Sequence, residues 1–183
     1  MNSLISPLKS YDNLDIKRFE YNESNTYYLR LYNILNTITD DYIILNNDND
    51  ILIDYVNIDK LNEKIEYMKD NNIDQIRVSN SGIYNKPDNT NDDLNIYKIK
   101  NGYFMSVQCG IWKRISLLKI VSKFRNHPYK CSECYEIQNY VENNLNNYFM
   151  FKYTDLLDAC DGQYIGIFPA LHIITGGKWM AGG

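Results

Sequence analysis

No run of residues in this chain approaches the ~18 consecutive apolar positions that a membrane-spanning helix needs. Residues 1–17 hold neither an apolar signal core nor a basic amphipathic pattern. Positive charge is in short supply as well. With 19 Lys and Arg against 23 Asp and Glu, the formal net charge is -4, which lacks the electrostatic footprint of a nucleic-acid or anionic-membrane binder. Cysteine is sparse, and four residues without a secretory signal read as free thiols rather than a disulfide framework. No internal repeat and no linker divides the sequence. The expectation is one soluble, cytoplasmic domain over residues 1–183, large enough for a real core.

What is present is an alternation of helical and extended patterns. The 17 tyrosines supply apolar area with a polar handle, which suits a half-wet cleft. A short extended candidate lies at residues 15–21. Tyr28, Leu31, Ile34 and Leu35 then share one helical face, and this helix is expected to run from Ser24 to near Thr39. The apolar run Tyr42, Ile43, Ile44, Leu45 reads as a strand covered on both faces. Ile58, Leu61, Ile65 and Met68 mark a second helix ending at Asn71 and Asn72, and residues 73–78 read as a strand. That strand–helix–strand order predicts a βαβ unit with a parallel pair. Residues 79–93 form a polar loop, followed by strands at 95–99 and 103–107 joined by an Asn101-Gly102 hairpin turn. Helices are expected over 113–124 and from Ser132 to about Leu145, then strands at 148–153 and 164–168. The whole order predicts an α/β fold with a mostly parallel sheet and helices on both faces.

The organising stretch is the point where the Tyr42 to Leu45 run stops, in Asn46-Asn47-Asp48-Asn49-Asp50, before apolar residues resume at Ile51. In open α/β sheets, ligands sit outside the carboxyl ends of the strands. Asp48 and Asp50 are two apart, so extended backbone sends both carboxylates to one side. Such a pair suits a hard divalent cation such as Mn²⁺ or Mg²⁺. Asn and Asp also simply make turns, and in this Asn-rich chain that reading stays open. An EF-hand is disfavoured, because Leu52 takes a ligand position and Ile53 stands where that loop needs glycine.

Three further constellations carry chemistry. Ser106-Val107-Gln108-Cys109-Gly110-Ile111-Trp112 sits where a strand gives way to a helix, whose free N–H groups suit a phosphate or a sugar hydroxyl. Gly110 would admit a ligand to the backbone and Trp112 would form a wall for a sugar face; the alternative is a glycine-marked turn beside a core tryptophan. Cys131-Ser132-Glu133-Cys134, preceded by His127, is a CxxC without a second pair, which is the wrong ligand count for structural zinc. Glu133 and Glu136 stand in a first helical turn, where a carboxylate takes a proton from an attacking hydroxyl or merely offsets the helix dipole. Finally, His172 precedes Gly176-Gly177-Lys178-Trp179. Imidazole suits a metal and ammonium a phosphate, although a lone His after an apolar strand is commonly a core residue.

Taken in order, these segments resemble the small nucleotide-sugar glycosyltransferases of the GT-A fold, which include viral and bacterial members. The strand entering a DxD is matched by Tyr42 to Asp50, a "SLQxGIW"-like segment by Ser106 to Trp112, a "PWEFE"-like segment by Ser132 to Glu136, and a terminal "GKW" by Gly177-Lys178-Trp179. The pairing of His172 with Lys178 is similar to the His…Lys element of glycogenin-like transferases. The likeness covers residues 27–179. Asn49 replaces the second acid of the family's adjacent pair, Cys109 stands where Pro is usual, and only Tyr135 and Glu136 keep the third motif. The family's opening strand and helix, which hold the nucleotide base, are expected to be missing or compressed into residues 1–21. The resemblance implies transfer of a sugar from a nucleoside-diphosphate donor to a hydroxyl acceptor. Asp48, Asp50 and His172 would hold Mn²⁺ or Mg²⁺, and Gly177 and Lys178 would meet the diphosphate. Gln108, Gly110 and Trp112 would line the donor sugar, and Glu136 would be the acceptor's general base. The alternatives are a non-catalytic GT-A remnant that acts by binding a partner, and a small zinc-stabilised module on His127, Cys131 and Cys134.

Overall fold

The computed structural model describes residues 19, 22, 24–46, 50–52, 56–77, 89–91, 96–99, 104–105, 110–127, 134–150, 170–172, 174–175 and 178–179. Its first helix, α1 (Tyr27–Leu35), begins where the Thr26 side-chain oxygen accepts the Leu29 N–H at 3.2 Å, satisfying one of the orphan donors of the first turn. It stops short of Thr39. The Asn36 amide donates to the Tyr32 carbonyl and the Thr37 hydroxyl to that of Ile34, so side chains compete for the last-turn carbonyls. The second helix, α2 (Ile58–Asp70), is capped by Asn57, whose side chain accepts the Lys60 N–H at 3.1 Å. Asp59 in its first turn and Lys69 in its last complement the helix dipole. The chain leaves α2 through Asn72 at φ 50, a left-handed conformation that Asn tolerates better than most residues.

Six strands make one sheet. They are β1 (Tyr42–Leu45), β3 (Gln75–Arg77), β4 (Asn89–Asn91), β5 (Ile96–Lys98), β6 (Gly110–Lys113) and β7 (Asn147–Met150), in the order β1-β6-β3-β7-β5-β4. The remaining early strand, β2 (Asp50–Leu52), lies outside it. Period-two alternation decides which residues face which layer. Ile76 and Ile111 join Met68, Ile73 and Ile96 in a core under α2, with Tyr42 and Tyr148 packed against it. Trp112, Ile43 and Leu45 lie on the other side, in a core built with α1, with α3 (Arg114–Phe124) and with α4 (Tyr135–Asn144). Leu117, Ile120, Val121, Ile137 and Val141 are all fully buried there. The chain is thus α/β, a mixed sheet with helices on both faces.

The expectation of a mostly parallel sheet is corrected. Within the six-stranded sheet, β3–β7 is parallel and the other adjacent pairs are antiparallel. Strands β1 and β3 point the same way, but β6 lies between them, antiparallel to both. Burial explains the insertion. Gly110, Ile111 and Trp112 are all buried, and only an interior position covers a strand on both faces and both edges. Among the described residues β1 is consequently an edge strand, with Ile44 37% exposed, rather than a fully covered one. The hairpin expectation also changes: β5 pairs with the upstream β4, inside the stretch read as a polar loop, and with β7. Phe104 and Met105 are not extended, and the proposed turn at Asn101-Gly102 lies outside the described residues. So do the strand candidate at 164–168 and that at 15–21 apart from Phe19, which belongs to no strand.

Asp74 joins the starts of three elements. Its N–H donates to the Asn146 carbonyl at 2.9 Å, and its own carbonyl accepts the Lys113 N–H at 2.9 Å. Its carboxylate accepts the Ser116 hydroxyl and, at 2.8 Å, the Asn146 N–H. Hydrogen bonds to a charged partner contribute about 1.5–3 kcal/mol. Asp74→Ala should therefore lower the unfolding free energy by about 2 kcal/mol, read from the urea midpoint at unchanged slope. Asp74→Ala combined with Ser116→Ala should cost less than the sum of the two single changes, because both remove the same bond. Strict additivity would show that the Ser116 contact contributes nothing.

Candidate functional site

The carboxyl ends of β1 and β3 meet at Gly110. Leu45 is its register partner on one side and Arg77 on the other. The acidic stretch follows Leu45 in sequence, and Leu45 stands beside Gly110 at this end of the sheet. That is the end at which open α/β sheets bind ligands.

A second pairing joins the acidic stretch to the far end of the chain. Strand β2 pairs antiparallel with β8 (Ala170–His172), placing Asp50 opposite His172, Ile51 opposite Leu171 and Leu52 opposite Ala170. Directly opposed positions in an antiparallel ladder share one face, with Cβ positions about 4.5–5.5 Å apart. Immediately after β8, β9 (Ile174–Thr175) pairs antiparallel with β10 (Lys178–Trp179), with Lys178 opposite Thr175. Gly176 and Gly177 alone separate the paired ends, a composition favoured by two-residue hairpins. Of the residues nominated from sequence for the metal and diphosphate, Asp50 and His172 are therefore in direct register, and Lys178 stands on the hairpin that follows. Asp48, Gln108 and Gly177 lie outside the described residues.

Trp112 is 0% exposed. Its ring belongs to the core with Leu35, Leu117 and Ile137 and presents no open wall. Sequence reasoning missed its neighbours. Gln75 and Arg77, buried on β3, are the register partners of Trp112 and Gly110 and share their face of the sheet. Neither Gln75 amide atom nor the Trp112 indole N–H has a hydrogen-bond partner among the described residues; buried polar groups of this kind are normally satisfied. The available signal was the alternation Gln75-Ile76-Arg77 inside a stretch read only for its apolar positions.

Glu136 lies apart from the β2–β8 pair in the chain, in the exposed first turn of α4. A hydrogen bond from its own backbone N–H holds its carboxyl below the usual range, helped by the Cys134 thiol and by the charge of His127. A polar groove of about 500 Å³ opens at the opposite, amino end of β1 and β3, where Asp74, Lys113, Lys119 and Asn146 line it. It is far from the acidic stretch in the topology and takes no part in the site. No protein-family model matches this sequence, and no curated protein matches it either.

A Cβ placed on Gly110 would sit 3.5 Å from Gln75 Nε2, from the Ile76 carbonyl oxygen and from Trp112 Nε1, which is ordinary contact. Packing therefore does not require glycine there. Gly110→Ala should fold normally and gain up to about 0.5–1 kcal/mol, the entropic penalty of glycine in a strand. The urea midpoint tests this, and a loss of more than ~1 kcal/mol would show that the backbone needs glycine after all.

Proposed function

We propose that the chain is a metal-dependent glycosyltransferase that moves a sugar from a nucleoside-diphosphate donor to a hydroxyl acceptor, built on a GT-A-like fold. The observation that carries this reading is the register of Asp50 against His172, two residues nominated independently and far apart in sequence. Two carboxylates and one imidazole, from Asp48, Asp50 and His172, form a donor set that fits Mn²⁺ and, less selectively, Mg²⁺. Such an ion supplies neutralising charge to the diphosphate as it departs. Lys178, in the strand pair after His172, adds a second positive charge for the same oxygens, and Gly177 beside it in sequence would let the diphosphate approach the backbone. Gly110 opens β6 at the donor side in this reading, Gln108 would contribute from the preceding residues in sequence, and Trp112 supports β6 from the core. The acceptor base is not part of this reading; Glu136 stands in the first turn of α4, on a different element from the metal set.

A second reading, a non-catalytic remnant that binds a partner, draws on the enclosure of Trp112 and the edge position of β1. Thermal unfolding separates the two. Ligands that bind only the native state stabilise it by RT ln(1 + [L]/Kd), about 2.7 kcal/mol at a hundredfold excess. Mn²⁺ should raise the Tm, and Mn²⁺ with UDP or GDP should raise it further. Asp48→Asn with Asp50→Asn, and separately His172→Ala, should remove both shifts while leaving the metal-free Tm within a few degrees. A full Mn²⁺ shift in either variant would move the site elsewhere. A Mn²⁺ shift with no added effect of any nucleoside diphosphate would favour the remnant.

A further inference from the structure

The end of α3 and the start of α4 bring together a donor set quite unlike that of the β2–β8 pair. His127 follows the last turn of α3, its N–H donating to the Phe124 carbonyl at 2.9 Å and its ring lying edge-on to Phe124 at 5.8 Å. Cys134 is the residue before α4, and Glu136 lies in that helix's first turn. One ligand atom from each of the three falls within 4.8 Å of the others. Cys134 and His127 are half-buried and Glu136 is exposed, so the cluster is walled on one side and open on the other.

The scaffold on both sides is held by contacts that do not involve the three side chains. The Gln138 amide bonds both ways to the Met105 backbone, at 2.8 and 2.7 Å. The Phe124 and Tyr140 rings meet at 5.6 Å across α3 and α4, and Ile137 and Val141 anchor α4 in the core. Cys134 is the N-cap residue of α4, and the Ile137 and Glu136 N–H groups lie where they favour its thiolate. Its thiol donates to the Glu136 carboxylate, and burial pushes the thiol pKa up.

We infer that His127, Cys134 and Glu136 form a Zn²⁺ site between the end of α3 and the start of α4, with three protein ligands and the fourth position left to solvent on the exposed side. A thiolate, an imidazole and a carboxylate are the ligand types of tetrahedral zinc, with bonds of about 2.3 Å to sulfur and 2.0–2.2 Å to nitrogen and oxygen. Those bonds place tetrahedral ligand atoms roughly 3.3–3.6 Å apart, and the three already lie within 4.8 Å of one another. The thiol proton that now bonds Glu136 passes to solvent as the sulfur takes the metal. This site shares no residue with the Mn²⁺ reading and stands or falls separately from it. Soft sulfur favours zinc more strongly than two hard carboxylates with a borderline imidazole do.

Cobalt(II) is the probe, since a thiolate ligand adds a sulfur-to-metal charge-transfer band in the near ultraviolet. Metal-stripped full-length protein should bind one Co²⁺ with that band, and one equivalent of Zn²⁺ should bleach it. Cys134→Ser should abolish the band. Glu136→Gln and His127→Ala should keep it but weaken Zn²⁺ binding by about tenfold or more, equivalent to ~1.4 kcal/mol. Circular dichroism of each metal-free variant checks that it still folds; should Cys134→Ser not fold, Cys134→Ala takes its place. Asp48→Asn with Asp50→Asn should leave the band unchanged. A band that survives loss of Cys134 would assign it to another cysteine and overturn the site. So would Zn²⁺ affinity unaffected by both Glu136→Gln and His127→Ala.

Discussion

The sheet depends on Asp74. Its backbone and carboxylate together bind the N–H and carbonyl of Asn146, the N–H of Lys113 and the hydroxyl of Ser116. One residue thereby sets where β3 begins relative to β7, where β6 hands over to α3, and how α3 sits on the sheet. Such an anchor matters because β3–β7 is the parallel pair, and a parallel pair has no tight hairpin to set its register. With the amino ends tied at Asp74, the carboxyl ends of β1 and β3 flank Gly110 at the other end of the sheet. The structural joint and the candidate site thus occupy opposite ends of the same strands. The groove around Asp74 is polar because that joint is polar.

Two chemically distinct donor sets follow from the arrangement. The β2–β8 ladder brings an acid from the first third of the chain opposite a histidine near its end, and hard oxygen with borderline nitrogen suits Mn²⁺. The end of α3 and the start of α4 bring sulfur, nitrogen and oxygen within 4.8 Å of one another on a packed helix pair, which suits zinc. The difference is one of scaffold as well as ligand. The first set is built on long-range strand pairing, and the second on residues within ten positions of each other whose supporting helices are already fixed by core side chains.

The helices were legible because their signal is local. Tyr28, Leu31 and Leu35, then Leu117 and Val121, then Ile137 and Val141, recur at helical spacing and are buried where that spacing demands. Their ends were less so: the early stop of α1 comes from Asn36 and Thr37 taking carbonyls with their side chains, a competition that composition does not reveal. The candidate site divides the same way. Asp48, Asp50, His172 and Lys178 stood out as chemistry-bearing types in suggestive surroundings, and Gly110 as a point of close approach. Gln75 and Arg77 did not stand out, because a polar residue alternating with isoleucine reads as a solvent-facing position until both faces prove to be covered by helices.

By itself, then, the order of residues determined four amphipathic helices, the β1 strand running into an acidic stretch, and the α/β class, all consequences of periodicities spanning fewer than about twenty residues. Only the tertiary structure decided which strands are neighbours. Period-two patterning states that a strand has two faces, but it carries no information about which strand lies at either edge. Strand β6 enters between β1 and β3 from later in the chain. By the same logic, residue types marked Asp50 and His172 as candidates, but only long-range pairing placed them in register. The closeness of His127, Cys134 and Glu136 likewise depends on how α3 and α4 pack, which the CxxC spacing does not encode.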